Sequence, residues 1–181
     1  MVTQASLNET EAMQEEQTIA KSTIYQFTVY DLHGKPVELS QYEGKVLLIV
    51  NTASKCIYTP QLEKLEKLYR KFHAQGFEIL AFPSNDFLRQ EPLSSEQIEH
   101  FCVANYNTSF PIFKKIHVRG EKASDLFQFL SNRKHNGNVN TAPQWNFHKY
   151  LIDRQGKVAT HFYSFISPTS FLVQHAIRKL F

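Results

Sequence analysis

Cys56 and Cys102 are the two cysteines of a chain of 181 residues. Two thiols make neither a disulfide-rich scaffold nor a four-cysteine metal site, so each is judged by its surroundings. Cys56 falls between a continuous apolar run, Val46-Leu-Leu-Ile-Val50, and a stretch in which Leu62, Leu65, Leu68, Tyr69 and Phe72 recur at helical spacing. Backbone N–H groups and the positive end of a helix dipole stabilise an anion there, which makes Cys56 a candidate thiolate nucleophile. The same position suits a small buried apolar side chain, and location alone does not choose between the two. Lys55 adds positive charge if it turns toward the sulfur, although contact with solvent is its simpler role.

Other cysteine chemistries fit poorly. A dithiol oxidoreductase needs Cys-x-x-Cys, whereas Cys56 is followed by Ile57, Tyr58 and Thr59. The eight histidines are scattered without ligand spacing, so neither a metal site nor a metal carrier is expected.

The elements that position Cys56 follow from pattern. Val46 to Val50 reads as a strand buried on both faces, at the sheet centre. A helix begins after Thr59-Pro60 and runs to Gly76. Phe77-Glu-Ile-Leu-Ala-Phe82 is a second strand, ending at Pro83, so strand, helix and strand form a βαβ unit with parallel strands and the class is α/β. Ser94-Ser-Glu-Gln97 reads as a capping box opening a helix that carries Cys102. Before these, Ile24, Phe27, Val29 and then Val37 and Leu39 flank Asp31-Leu-His-Gly34, the pattern of a hairpin. Afterwards a helix is expected over 123–130, a polar loop over 132–143, two antiparallel strands around Asp153-Arg-Gln-Gly156, and a final helix from Ser167-Pro168 to Phe181.

Composition bounds the rest. At 42% hydrophobic residues the chain fills one core, so residues 22–181 are expected to form a single domain. The first twenty residues hold Glu9, Glu11, Glu15 and Glu16 but no Lys or Arg, which fits a disordered tail and neither a secretory nor a mitochondrial leader. No run approaches the ~18 apolar residues of a membrane span. The basic residues Lys64, Lys67, Arg70 and Lys71 alternate with Glu63 and Glu66 as on a solvated helix face, which argues against nucleic-acid binding.

Three blocks in order resemble the glutathione peroxidase family: Asn51-Thr-Ala-Ser-Lys-Cys56 with Thr59-Pro60-Gln61, Phe82-Pro-Ser-Asn85 through Gln90-Glu91-Pro92, and Trp145-Asn146-Phe147. The resemblance spans residue 22 to the C-terminus. It implies a thioredoxin-like fold, a central mixed β-sheet flanked by α-helices with an N-terminal β-hairpin, and a thiol peroxidase needing no cofactor. By the same resemblance the catalytic set is Cys56, Gln90, Trp145 and Asn146. Amide NH₂ groups and an indole N–H donate to the sulfur and to the departing oxygen without themselves titrating.

Cys102 resembles the resolving thiol of family members that use a second cysteine. That implies a sulfenic acid at Cys56, an intramolecular disulfide with Cys102, and reduction by thioredoxin. A disulfide requires Cα atoms within about 7 Å, so the helix carrying Cys102 is expected to unwind partly. The substrates implied are hydrogen peroxide and organic or lipid hydroperoxides, in a cytoplasmic monomer serving antioxidant defence. Glutathione as reductant, or a redox relay passing oxidation to a partner protein, are the alternatives.

Some positions depart from the family pattern. Ile57 stands where glycine is usual and requires ordinary backbone angles. Asp86 replaces glutamine, and a carboxylate turned inward would disfavour a thiolate at Cys56. Leu88-Arg89 follows where a glycine is usual, and Ser84 replaces a common cysteine without touching the two-cysteine cycle.

Overall fold

The computed structural model describes residues 22–181, so the expected tail over 1–21 lies outside the described residues. The first described element is a 3₁₀ turn, Ile24–Gln26, leading into β1 (Thr28–Tyr30) and β2 (Pro36–Glu38), which pair antiparallel as the expected hairpin. The Asp31 carboxylate accepts from His33 N and Lys35 N, and Gly34 supplies the left-handed residue (φ 83°) that closes the turn.

The principal sheet has four strands in the order β4-β3-β5-β6. β3 (Val46–Thr52) and β4 (Phe77–Pro83) are parallel, joined through α1 (Gln61–Phe72). β5 (Lys149–Ile152) runs antiparallel to β3, and β6 (Val158–Phe162) antiparallel to β5. Every residue of β3 and β4 is buried, which is why both read as mainly apolar runs without regular polar alternation, Glu78 being the buried charged residue of β4.

The pleat sends alternate residues to opposite layers. Val46, Leu48, Val50 and Leu151 face α1, α2 (Ser95–Tyr106) and α5 (Phe171–Arg178). Leu47, Ile49, Tyr150 and Ile152 face the N-terminal segment and α3 (Asp125–Ser131). The mixed sheet, its flanking helices and the hairpin agree with the expected fold class.

Two details differ from expectation. The stretch 132–143 contains one helical turn, α4 (Arg133–Asn136), because Asn132 caps Lys134 N and Gly137 takes the left-handed C-cap. The last helix starts at Phe171 rather than at Ser167, since Ser170 supplies the N-cap by accepting from Val173 N. The capping box at Ser94 and Gln97 is present as read.

Candidate active site

Cys56 lies in the loop between the end of β3 and α1. The loop is wound on one hydroxyl: Thr59 Oγ1 accepts from Cys56 N and donates to Ala53 O, both at 2.9 Å. A bond from Thr59 N to Cys56 O (3.0 Å) closes the turn, and Tyr58 N donates to the sulfur at 3.4 Å. Cys56 is buried, with 8% of the residue exposed. An amide aimed at sulfur in such surroundings suits an anionic acceptor.

Gln90 arrives from the loop after β4. Its carbonyl accepts from Lys55 N at 2.9 Å, stitching this loop to the cysteine loop one residue from the sulfur. Its side-chain oxygen accepts from Asn146 Nδ2, also at 2.9 Å. That bond commits the amide oxygen of Gln90 and leaves its NH₂ group as a donor.

Asn146 is fully buried, and Trp145 is half-buried with its ring 5.5 Å from that of Phe87. Asn51, at the end of β3, holds this segment twice: Nδ2 donates to Trp145 O (3.2 Å), and its carbonyl accepts from Phe147 N (2.6 Å). Phe147, also buried, takes a left-handed backbone (φ 66°) directly after Trp145 and Asn146. Such strain costs about 1–3 kcal/mol and persists where packing over-determines it.

Four sequence-predicted residues thus come together: Cys56 and Gln90 through Lys55, and Gln90, Asn146 and Trp145 through a side-chain bond and chain continuity. Cys102 sits apart on α2, 5% exposed, in the same apolar layer as Cys56. Both cysteines are free thiols. Burial, with the nearby Glu91 carboxylate, pushes the Cys102 thiol up to about 12. Glu91 is itself buried, and its carboxylate accepts from Ser54 Oγ at 2.8 Å in the cysteine loop.

The departures resolve physically. Asp86 is not turned on Cys56: its oxygens take His117 Nδ1 at 2.6 Å and Val118 N at 2.7 Å. Leu88 (φ 49°) and Arg89 (φ 54°) are consecutive left-handed residues, which explains why glycine is usual there. Ile57 keeps ordinary angles and is 84% exposed at the lip of the site. Sequence reading missed Asn51 as the anchor of Trp145 and Thr59 as the post of the cysteine loop, although both stand inside the first family block.

A surface cavity of about 870 Å³ lies between α4 and β6, away from Cys56. Among the described residues no cluster of three or more His, Cys, Asp or Glu side chains could hold a metal ion, and no helix is long and apolar enough to cross a membrane.

Residues 24–131 match the family model described as glutathione peroxidase. The chain is 45% identical over 155 residues to the hydroperoxy fatty acid reductase gpx1 of Synechocystis sp., covering 82% of this chain and 91% of that protein. It is 44% identical over 149 residues to the glutathione peroxidase-like peroxiredoxin 2 of Saccharomyces cerevisiae, covering 82% and 92%. The crystal structure of apo Trgpx superposes with a TM-score of 0.69 at 33% identity, over 88% of this chain and 95% of that one. A thioredoxin-family thiol:disulfide interchange protein from Chlorobium tepidum, 14% identical, superposes at 0.62 over 88% and 95%, a likeness of fold alone. A thioredoxin-like sheet, and likenesses of this extent, carry one conclusion: the chain belongs to the glutathione peroxidase family and is a peroxidase, reducing hydroperoxides at the expense of a thiol reductant.

Proposed function

We propose that Cys56 is the peroxidatic nucleophile, that Gln90, Trp145 and Asn146 are its donors, and that Cys102 resolves the oxidised form for reduction by thioredoxin. The observation that carries this reading is the pair of bonds at Gln90, its carbonyl to Lys55 N and its amide oxygen to Asn146 Nδ2. Those bonds support a donor set held before substrate arrives, the arrangement that keeps reorganisation during the reaction small.

The thiolate of Cys56 attacks the outer peroxide oxygen; the S–O bond forms, the O–O bond breaks, and the alkoxide leaves as an alcohol on taking a proton. Cys102 then attacks the sulfenic sulfur, forming the S–S bond and releasing water. An external dithiol reduces that bond by exchange. Two features of α2 support a Cys102 that moves: of its twelve residues Ile98 and Cys102 are the buried ones, and Val103 is half-exposed. Such a helix belongs to the weakly held end of a fold. Free thiols in both positions fit a reducing compartment such as the cytoplasm. The exposed apolar side chain of Ile57 beside Cys56 favours organic and fatty-acid hydroperoxides beside hydrogen peroxide.

Peroxide-dependent NADPH oxidation with thioredoxin and its reductase, against the same assay with glutathione and its reductase, tests the reductant. Turnover with thioredoxin is expected; turnover with glutathione alone would refute the two-cysteine cycle. Mass spectrometry after one equivalent of peroxide should show a Cys56–Cys102 bridge in the wild type and an oxidised, unbridged Cys56 in Cys102→Ser.

A further inference from the structure

We propose that Asp86 is a positioning residue for the donor Gln90, acting through the segment Ile116 to Val118. The inference rests on the role assigned to Gln90 above. The loop from Asn85 to Glu91 contains two consecutive left-handed residues, Leu88 and Arg89, whose exposed side chains cannot hold that conformation. Its shape must therefore be set at its ends.

The far end is tied to the cysteine loop by Lys55 N to Gln90 O, and Glu91 N donates to Asn85 Oδ1 across the loop at 2.9 Å. The near end is tied by Asp86, which is mostly buried and takes Val118 N and His117 Nδ1 on its two oxygens. That segment is itself fixed to β4, since Ile116 N donates to Pro83 O at 3.0 Å. Phe87, next to Asp86, is buried between the Trp145 ring and the Arg119 guanidinium, which lies 5.1 Å from its ring centre. Gln90 N donates to Phe87 O at 3.1 Å, so the position of residues 86 and 87 passes directly to Gln90. A carboxylate suits this place because two donors converge on it, one of them a backbone N–H that would otherwise stand without a partner.

The test measures the second-order rate of Cys56 oxidation by hydrogen peroxide in Gln90→Ala, Asp86→Ala, Asp86→Asn and the double variant Asp86→Ala/Gln90→Ala. Gln90→Ala is expected to slow oxidation about 10²-fold, as loss of one preorganised donor does. Asp86→Ala should slow it about tenfold by letting Gln90 drift. Asp86→Asn, whose Oδ1 still accepts from Val118 N, should recover to within about twofold of wild type. The double variant should be no slower than Gln90→Ala, because a residue that acts through Gln90 has nothing left to position. A normal rate in Asp86→Ala beside a slow Gln90→Ala would overturn this proposal alone, as would an additive loss in the double variant or a failure of Asp86→Asn to recover. A normal rate in Gln90→Ala would overturn the role of Gln90 itself.

Discussion

Resolution by Cys102 should be limited by its release from the core, and its pH dependence should show this. In the folded site the thiol is pushed from its ordinary 9.0 up to about 12. At pH 7 that leaves a thiolate fraction of about 10⁻⁵, against about 10⁻² for a released thiol. Release therefore gains about a thousandfold in nucleophile, equivalent to about 4 kcal/mol, and the open route dominates whenever opening α2 costs less than that. Full burial of an aliphatic side chain such as Ile98 contributes about 2–3 kcal/mol, and the freedom regained by unwound backbone offsets part of it. The open route wins on these magnitudes. Rapid quenching after a pulse of excess peroxide, with thiol blocking and mass analysis, measures bridge formation directly. Its rate should rise tenfold per pH unit up to about pH 9 and then level, because a released thiol is half ionised there and has little thiolate left to gain above it. Ile98→Val, which removes one buried methylene from the closed state, should cost about 1 kcal/mol and accelerate bridging about fivefold. A rate that keeps climbing beyond pH 10, or that Ile98→Val leaves unchanged or slower, would refute release as the controlling step.

Three further outcomes follow from buried groups. Lys149 is fully buried beside Val50 in the sheet, its ammonium donating to Ser164 O and Ile166 O, and burial lowers it to about 7. The unfolded chain then binds more protons than the folded one, so between pH 7 and 9 stability in urea titrations should rise with pH by up to ~1.4 kcal/mol per unit, and Lys149→Met should abolish that slope. His148 is lowered from 6.5 to about 3, chiefly by burial and then by neighbouring His161 and Lys149. Its unfolded form gains a proton that the folded form refuses, so stability should fall as pH drops from 6.5 toward 5, less steeply in His148→Phe, as urea titrations at each pH will show. Thr59→Val strips the partner from Cys56 N and Ala53 O; at about 1–3 kcal/mol per orphaned buried group it should lower Tm and slow Cys56 oxidation, with Thr59→Ser restoring both.

The sequence exposed what is periodic or contiguous. Val46 to Val50 and Phe77 to Phe82 announced a buried parallel pair because strands covered on both faces carry no polar alternation. Ser94 and Gln97 announced the start of α2 because a capping box is a local device. Cys56, Gln90, Trp145 and Asn146 were singled out through three ordered blocks of a family pattern, whereas the last helix was read as starting at Ser167 and begins at Phe171, because Ser170 supplies the N-cap.

What the sequence could not contain was direction. Asp86 read as a possible charge against Cys56; the tertiary structure turned its carboxylate to His117 and Val118, which lie about thirty residues away in the chain. Leu88, Arg89 and Phe147 gave no sign of left-handed backbone, since that strain is imposed by anchors elsewhere and not by their own preferences. The chain alone named the candidate residues for the chemistry, because residue type and local spacing single them out. Only the fold decided which of them meet, because Lys55, Gln90 and Asn146 are brought together by bonds between distant segments that no local pattern records.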